Sequence, residues 1–317
     1  MSNYIIQFPG LGLELNPPTG FSVGPLEVRF YGVIIALGLI LAVLYALRRK
    51  DQFGISEDDL MDGVLWIAPF SILCARLYYC IFEWEYYAGN PISILYIWEG
   101  GLAIYGAVIG AAIAIFIHCK FIKKISIAAV LDLASLGFMI GQMLGRWGNF
   151  FNREAHGGVT DSFLRMGLLH PVTRTGEFYH PTFLYESLWN LVGFVILHKF
   201  SKKRKYDGQV ALCYVAWYGL GRAMIEGLRT DSLWWGNFRV SQVLAAGSCL
   251  IAVVLLFVLS RREHKPEDLF VNVVAARIAA EEADEETEDA EEATEEAEVE
   301  ETAEVADAPS EEAEMTE

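Results

Sequence analysis

The sequence predicts an all-helical polytopic membrane protein with seven transmembrane helices, and three observations predict it. The 317 residues are 54% hydrophobic and have a positive mean hydropathy. Seven apolar runs approach the roughly 20 residues that a helix rising about 1.5 Å per residue needs to cross about 30 Å of hydrocarbon. Lysine and arginine cluster after alternate runs, as they do where a chain returns to the cytoplasm.

The runs lie approximately at 30–47, 60–82, 100–117, 125–145, 182–197, 208–228 and 240–259. The first, third and seventh contain no charge, and the others carry a few each. Arg48, Arg49 and Lys50 follow the first run, and Lys120, Lys123 and Lys124 follow the third. Lys199, Lys202, Lys203, Arg204 and Lys205 follow the fifth, and Arg261, Arg262 and Lys265 the seventh. These returns place the C-terminus in the cytoplasm and the N-terminus outside. No basic residue precedes Arg29, so a cleavable signal peptide is not expected.

The formal charge of −17 belongs to the tail. Of the 41 acidic residues, 20 follow position 280, where no basic residue occurs; the other 21 face 24 basic ones. Two parts are expected: a transmembrane domain over 1–264 and an acidic cytoplasmic tail over 265–317. Residues 281–317 are rich in Glu, Ala and Thr and poor in large apolar side chains, which predicts disorder. The five cysteines lie in apolar runs or at their ends, with no CxxC or His/Cys cluster, so no disulfide framework, metal or cofactor is expected.

Residues 1–27 carry four prolines and four glycines and predict an outer loop against the membrane, opening into the first run near Tyr31. Ser56 and the acids after it form a helix start. Arg76 lies deep in the second run, where an unpaired charge is costly and marks a functional candidate. Gly106 and Gly110 in the third run make a small-residue packing face beside Tyr105. Asp132 in the fourth fits helix packing and function equally well. Residues 159–179 form a polar excursion longer than most loops, which fits a lid or docking surface. His180 and Pro181 open the fifth run, and Glu186 follows within it. In the sixth, Tyr218, Arg222, Glu226 and Arg229 share one helical stripe.

The stretch GRWGNFFNREAHGG at 145–158 joins Arg146, Asn149, Asn152, Arg153 and Glu154 to glycines at the end of an apolar helix. Arginine and amide donors among glycines suit an anion, although a polar loop leaving a bilayer reads the same way. Apart from Arg277, the basic residues outside the cytoplasmic clusters are all arginine: 29, 76, 146, 153, 165, 174, 222, 229 and 239. The planar fork of arginine suits phosphate better than a lysine point charge does. Intramembrane arginines at headgroup depth fit an anionic phospholipid. A phospholipid transporter would need the same site, but no internal repeat of the kind such folds show is visible. A scaffold would not need the arginines.

GRWGNFFNREAHGG is similar to the signature of the prolipoprotein diacylglyceryl transferases. WEGGLAIYGAVIG, HPTFLYES and YGLGRAMIEGLRTDSL resemble that family's other blocks, in its order, so that the likeness runs over about 29–259. The resemblance implies a bacterial plasma-membrane enzyme, facing the outer leaflet, that moves the diacylglyceryl group of phosphatidylglycerol to a lipobox cysteine of a prolipoprotein signal peptide. A thioether forms and glycerol 1-phosphate leaves; no cofactor or nucleic acid takes part. It assigns the phosphate-binding arginine to Arg146 and a second essential arginine to Arg222. Asn149, Glu154 and Gly157 complete the signature, and Tyr31, Tyr218 and Glu226 match further family positions, Glu226 holding Arg222. His180 joins them as a substrate-binding candidate. Many members have histidine where this chain has Tyr105. Here the tyrosine serves as the catalytic group, or the thiol is deprotonated elsewhere, or the residue only orients lipid.

Overall fold

Helix α5 (Ile127–Asn152) packs against three others, α1 (Phe30–Arg49), α6 (Thr182–Phe200) and α7 (Gln209–Glu226). The computed structural model describes residues 4–24, 26–97 and 100–287. The chain divides into two units, 1–271 and 272–317. In the first, α2 (Glu57–Phe82) is followed by the short α3 (Trp84–Ala88) and pairs with α4 (Ile104–Ile117), while α8 (Val240–Ser260) pairs with α7. The α2–α4 pair meets the rest chiefly through α1. Ser56 and Ser126 accept from Asp59 N and Ala129 N and so cap α2 and α5.

Five of these helices are long and apolar enough to cross a membrane: α1 and α4 with their following turns, α2, α5 and α8. The other two of the seven expected runs, α6 and α7, are helical over 19 and 18 residues but more polar. They pack against α5 and against each other and carry buried charge, which lowers their apolar content.

A reciprocal tryptophan pair sets the register between α6 and α7. Trp189 and Trp217 stack at 4.4 Å, and each indole N–H donates to the other's carbonyl at 3.0 Å. Gly193 and Gly221 leave room for the indoles; a Cβ on either would collide with the facing ring. This lock carries Glu186, three residues before Trp189, up to Arg222, five after Trp217. At the other end of α7, the fully buried Asp132 of α5 accepts from Gly208 N at 2.9 Å and Ala211 N at 2.8 Å. It caps the α7 N-terminus across the helix interface, which resolves its role as structural.

The segments expected as an outer loop and a polar excursion pair with one another instead. Strands β1 (Ile5–Phe8), β2 (Leu13–Leu15), β5 (Met166–Leu169) and β6 (Gly176–Tyr179) form an antiparallel sheet in the order β2-β1-β5-β6. Ile5 faces Leu169 and Gln7 faces Gly167. Ile6, Phe8, Met166 and Leu168 pack on Phe150 and Phe183, seating the sheet on the end of α5 and the start of α6. Two hairpins, β3 (Gly20–Val23) with β4 (Leu26–Arg29) and β7 (Trp234–Trp235) with β8 (Phe238–Arg239), lead directly into α1 and α8.

Residues 272–287 of the second unit are helical, including 281–287, for which disorder was expected. Glu and Ala are strong helix formers, and Arg277 Nε donates to Glu281 at 2.9 Å one turn on, so a helix forms here without a core. The expectation for 288–317 lies outside the described residues.

Replacing Gly221 by alanine should push the α6–α7 register apart and destabilise the fold by about 1–3 kcal/mol, the range for overpacking a filled interface. Thermal unfolding of the purified protein in detergent reads this; an unchanged midpoint would contradict the register lock.

Candidate active site

The bottom of the site is one carboxylate. Glu186 stands one turn into α6 and is 3% exposed, so ionising it requires cationic partners. Three arginines supply them. Arg146, from the last two turns of α5, meets Oε2 at 2.5 Å. Arg222 of α7 donates to Oε1 at 3.0 Å, and Arg229, just past the end of α7, donates to the same oxygen at 3.4 Å.

A second buried carboxylate backs the first. Glu226 is 1% exposed and forms an ion pair with Arg222 at 2.6 Å, one turn apart on α7 and outside hydrogen-bond geometry. Arg229 turns its other edge to Asp231, with Nε and Nη2 at 2.9 and 2.5 Å from the two carboxylate oxygens. Burial opposes ionisation of Asp231, but the hydrogen bond and charge of Arg229 outweigh it and hold the carboxyl below the usual carboxylate range. Three guanidiniums therefore share two buried carboxylates, and Arg146 and Arg222 keep 21% and 17% of their side chains exposed. Such a pair of partly free planar donors, held from behind, suits a phosphate.

The neighbours extend from Arg146. Its Nη1 reaches Asn149 Oδ1 at 3.5 Å, and Asn149 and Asn152 both donate to Glu154 Oε1 at 3.1 Å. Gly157 and Gly158 stitch the two sides together. Gly157 N donates to His180 O at 2.9 Å, and Gly158 N donates to Leu228 O at 2.8 Å. A Cβ on Gly157 would sit 2.7 Å from His180 Cβ and 2.8 Å from Leu228 O, so the approach needs glycine. The backbone of Gly157 bridges that of Arg229. His180 contributes this backbone contact, while its ring faces Tyr185 Oη at 3.4 Å.

The predicted residues are thus not gathered equally. Arg146, Arg222 and Glu226 meet at Glu186; Asn149 and Glu154 follow Arg146; Gly157 and His180 reach the cluster through backbone. Tyr31 lays its ring over Gly148, within one turn of Arg146. Tyr218 stacks on Tyr214 at 5.9 Å, one turn before Arg222. Tyr105 stands on α4, in the α2–α4 pair, and is 40% exposed; among the described residues no side-chain hydrogen bond ties it to the arginines.

Most of the arginines outside the lysine-rich clusters serve the scaffold. Arg76 donates to the carbonyls of Ser93, Ile94, Tyr96, Gly100 and Gly101, holding the segment before α4. That replaces its reading as a functional candidate. Arg153, 1% exposed and left-handed at φ 57°, binds Tyr4 O, Phe151 O, Asn16 Oδ1 and Pro17 O, clasping the N-terminal segment to α5. A cavity of about 500 Å³ lies beside this clasp, lined by Tyr4, His156, His170, Glu177 and Tyr179 and not by the arginine cluster.

Glu186 and Arg229 were legible only in part. Both appear as intramembrane or near-membrane charges, but 42 residues separate them, and only folding joins them.

The sequence profile described as prolipoprotein diacylglyceryl transferase matches residues 18–258, which take in every residue of the cluster. The chain belongs to this family. It is 41% identical over 274 residues to a protein of Listeria monocytogenes serotype 4a (strain HCC23), covering 84% of this chain and 99% of that one. A protein of Limosilactobacillus reuteri (strain DSM 20016) is 41% identical over 272 residues, covering 83% and 97%. One of Clostridium novyi (strain NT) is 43% identical over 247 residues, covering 75% and 94%. All three are named phosphatidylglycerol–prolipoprotein diacylglyceryl transferase. Membership in this family, together with five membrane-length apolar helices, identifies a membrane-bound transferase.

Because its folded pKa is lowered, Asp231 contributes stability that is full above the ordinary aspartate value of about 3.9 and fades only as pH falls through the lowered one. The stability difference between wild type and Asp231→Asn should therefore stay level from pH 8 to about pH 5 and shrink below about pH 4. Melting curves across that range test it; a difference that collapses near neutrality would refute the Arg229 clamp.

Proposed function

We propose that the protein transfers the diacylglyceryl group of phosphatidylglycerol to the lipobox cysteine thiol of a prolipoprotein, opening lipoprotein maturation. The thiolate sulfur attacks the glyceryl carbon that bears the phosphate ester. A C–S bond forms, the C–O bond breaks, and its electron pair leaves with glycerol 1-phosphate. The proton lost by the thiol balances the charge gained by the departing phosphate. The nucleophile belongs to the substrate, so the protein's task is to hold the phosphate and stabilise its growing charge.

The observation that carries this reading is the pair of partly exposed guanidiniums, Arg146 and Arg222, braced by the buried Glu186. In a water-poor site, braced donors stabilise developing charge with little reorganisation. Asn149 and Glu154 steer Arg146, Glu226 steers Arg222, and Tyr31, Tyr218 and His180 line the approach of lipid. Gly157 keeps the two arms together. Tyr105 orients lipid and does not itself move the thiol proton.

The topology follows the lysine asymmetry: seven spans, α6 and α7 among them, with the N-terminus outside and the C-terminus cytoplasmic. The site then faces the outer leaflet of a bacterial plasma membrane, where it meets phosphatidylglycerol and signal peptides carrying a lipobox cysteine. The transferase domain comprises 1–264, followed by the acidic cytoplasmic segment 265–317.

Purified protein should move labelled lipid from phosphatidylglycerol to a lipobox peptide. At saturating peptide, Arg146→Lys and Arg222→Lys keep the charge but lose the fork, and each should slow turnover at least about tenfold, or about 1.4 kcal/mol. Glu226→Gln should lose less, and Tyr105→Phe should retain measurable activity. Near-normal turnover in both lysine variants would end the phosphate-fork reading.

Removal of residues 281–317 should leave transfer largely intact at equal protein level. Loss of most activity would place the tail in the reaction.

A further inference from the structure

The turn between α7 and α8 exposes apolar surface where the chain enters α8. Trp235 is 83% exposed, Phe238 69%, Leu233 65% and Trp234 55%. They occupy the β7–β8 hairpin, closed by Gly236 and Asn237 with Gly236 at φ 58°. Val240, the first residue of α8, donates its N–H to Leu233 O at 3.0 Å, so no slack separates hairpin and helix. Helix α8 is among the most apolar spans, and away from its packing face on α7 its side chains are exposed, so that outer face belongs to lipid. The hairpin aromatics continue that surface at the level where Trp residues partition between headgroups and acyl chains.

The same hairpin reaches back to the site. Arg239 donates to Glu226 O, the last carbonyl of α7, and its guanidinium lies over the Trp234 ring at 5.0 Å. Gln242, in the first turn of α8, donates to Ala223 O at 2.9 Å. Carbonyls at a helix end have no partner within the helix. Here, in the turn that carries Arg222 and Glu226, Ala223 O accepts from the start of α8, and Glu226 O, which also accepts from Arg229 N at 3.2 Å, is reached by the hairpin.

We propose that the 233–239 hairpin is a membrane-docked strut: its aromatic side chains sit in the lipid headgroup layer, and Arg239, as a positioning residue, transmits that anchorage to the α7 turn carrying Arg222 and Glu226. The partner is the lipid surface itself. The strut lies at the same end of α7 as the arginine cluster, so the fixed turn and the incoming headgroup share one level. Its effect on transfer rests on the proposed function; its docking does not.

Two measurements on the reconstituted full-length protein test the two halves. Trp235 emission is isolated as the difference between wild type and Trp235→Phe in phosphatidylglycerol vesicles. Lipids brominated near the headgroup should quench it, and aqueous iodide should not; the reverse pattern would overturn docking even if the enzyme transfers no lipid. In the transfer assay, Arg239→Gln should lower kcat at least about fivefold, with Arg239→Lys restoring part of it. Trp235→Ala should raise the apparent KM for vesicle lipid severalfold while leaving kcat and the rate in detergent micelles near wild type. Wild-type kinetics in Arg239→Gln and Trp235→Ala would overturn the strut, whereas an inactive wild type would indict the functional reading alone.

Discussion

A carboxylate buried among three guanidiniums is the constraint on which this molecule turns. Glu186 is 3% exposed, and the arginines that meet it come from the end of α5, the last turns of α7 and the loop beyond. Removing one partner from such a buried set typically costs about 3–5 kcal/mol, because the charge left behind is neither solvated nor paired. Helices α5, α6 and α7 must therefore hold their mutual register to within an ångström or so. The stacked Trp189 and Trp217 hold it on one side of the site, and Asp132 caps α7 at the other end.

The arginines divide by what they face. Arg76 and Arg153 are spent on backbone carbonyls, Arg165 on the carbonyls of Asp161 and Ser162, and Arg174 on Glu14. Arg239 closes the end of α7. A guanidinium carries five donors in one plane, which makes it as good a clamp for irregular backbone as for phosphate. Enrichment of arginine along one side of the chain thus has two physical causes, and composition cannot separate them. Burial with carbonyl partners marks the clamps. Partial exposure above a shared carboxylate marks Arg146 and Arg222.

The four-stranded sheet is pinned to the ends of α5 and α6 through Phe150 and Phe183, and Arg153 ties its first strand down. Glycines 157 and 158 then join that layer to the backbone beyond α7. The sheet therefore sits over the ends of α5 and α6 that carry Arg146 and Glu186.

The helices could be read from the chain because their cause is local: an apolar run long enough to span hydrocarbon must satisfy its backbone internally. The Tyr218–Arg222–Glu226 stripe was legible for the same reason, since helical spacing places residues on one face; Arg229, expected as its fourth member, lies just past the end of α7 and reaches Glu186 from the loop. The sheet was not, because Ile5 pairs with Leu169 across more than half the chain and strands of three or four residues leave little periodic signal. Arg76 looked functional because depth in a span is visible in sequence while its five carbonyl partners are not. By itself, then, the sequence determined the helical membrane class, the charged stripe and the signature around Arg146. Only the tertiary structure decided that Glu186 is the hub, since a buried carboxylate and its three arginines become neighbours through helix packing and not through spacing along the chain.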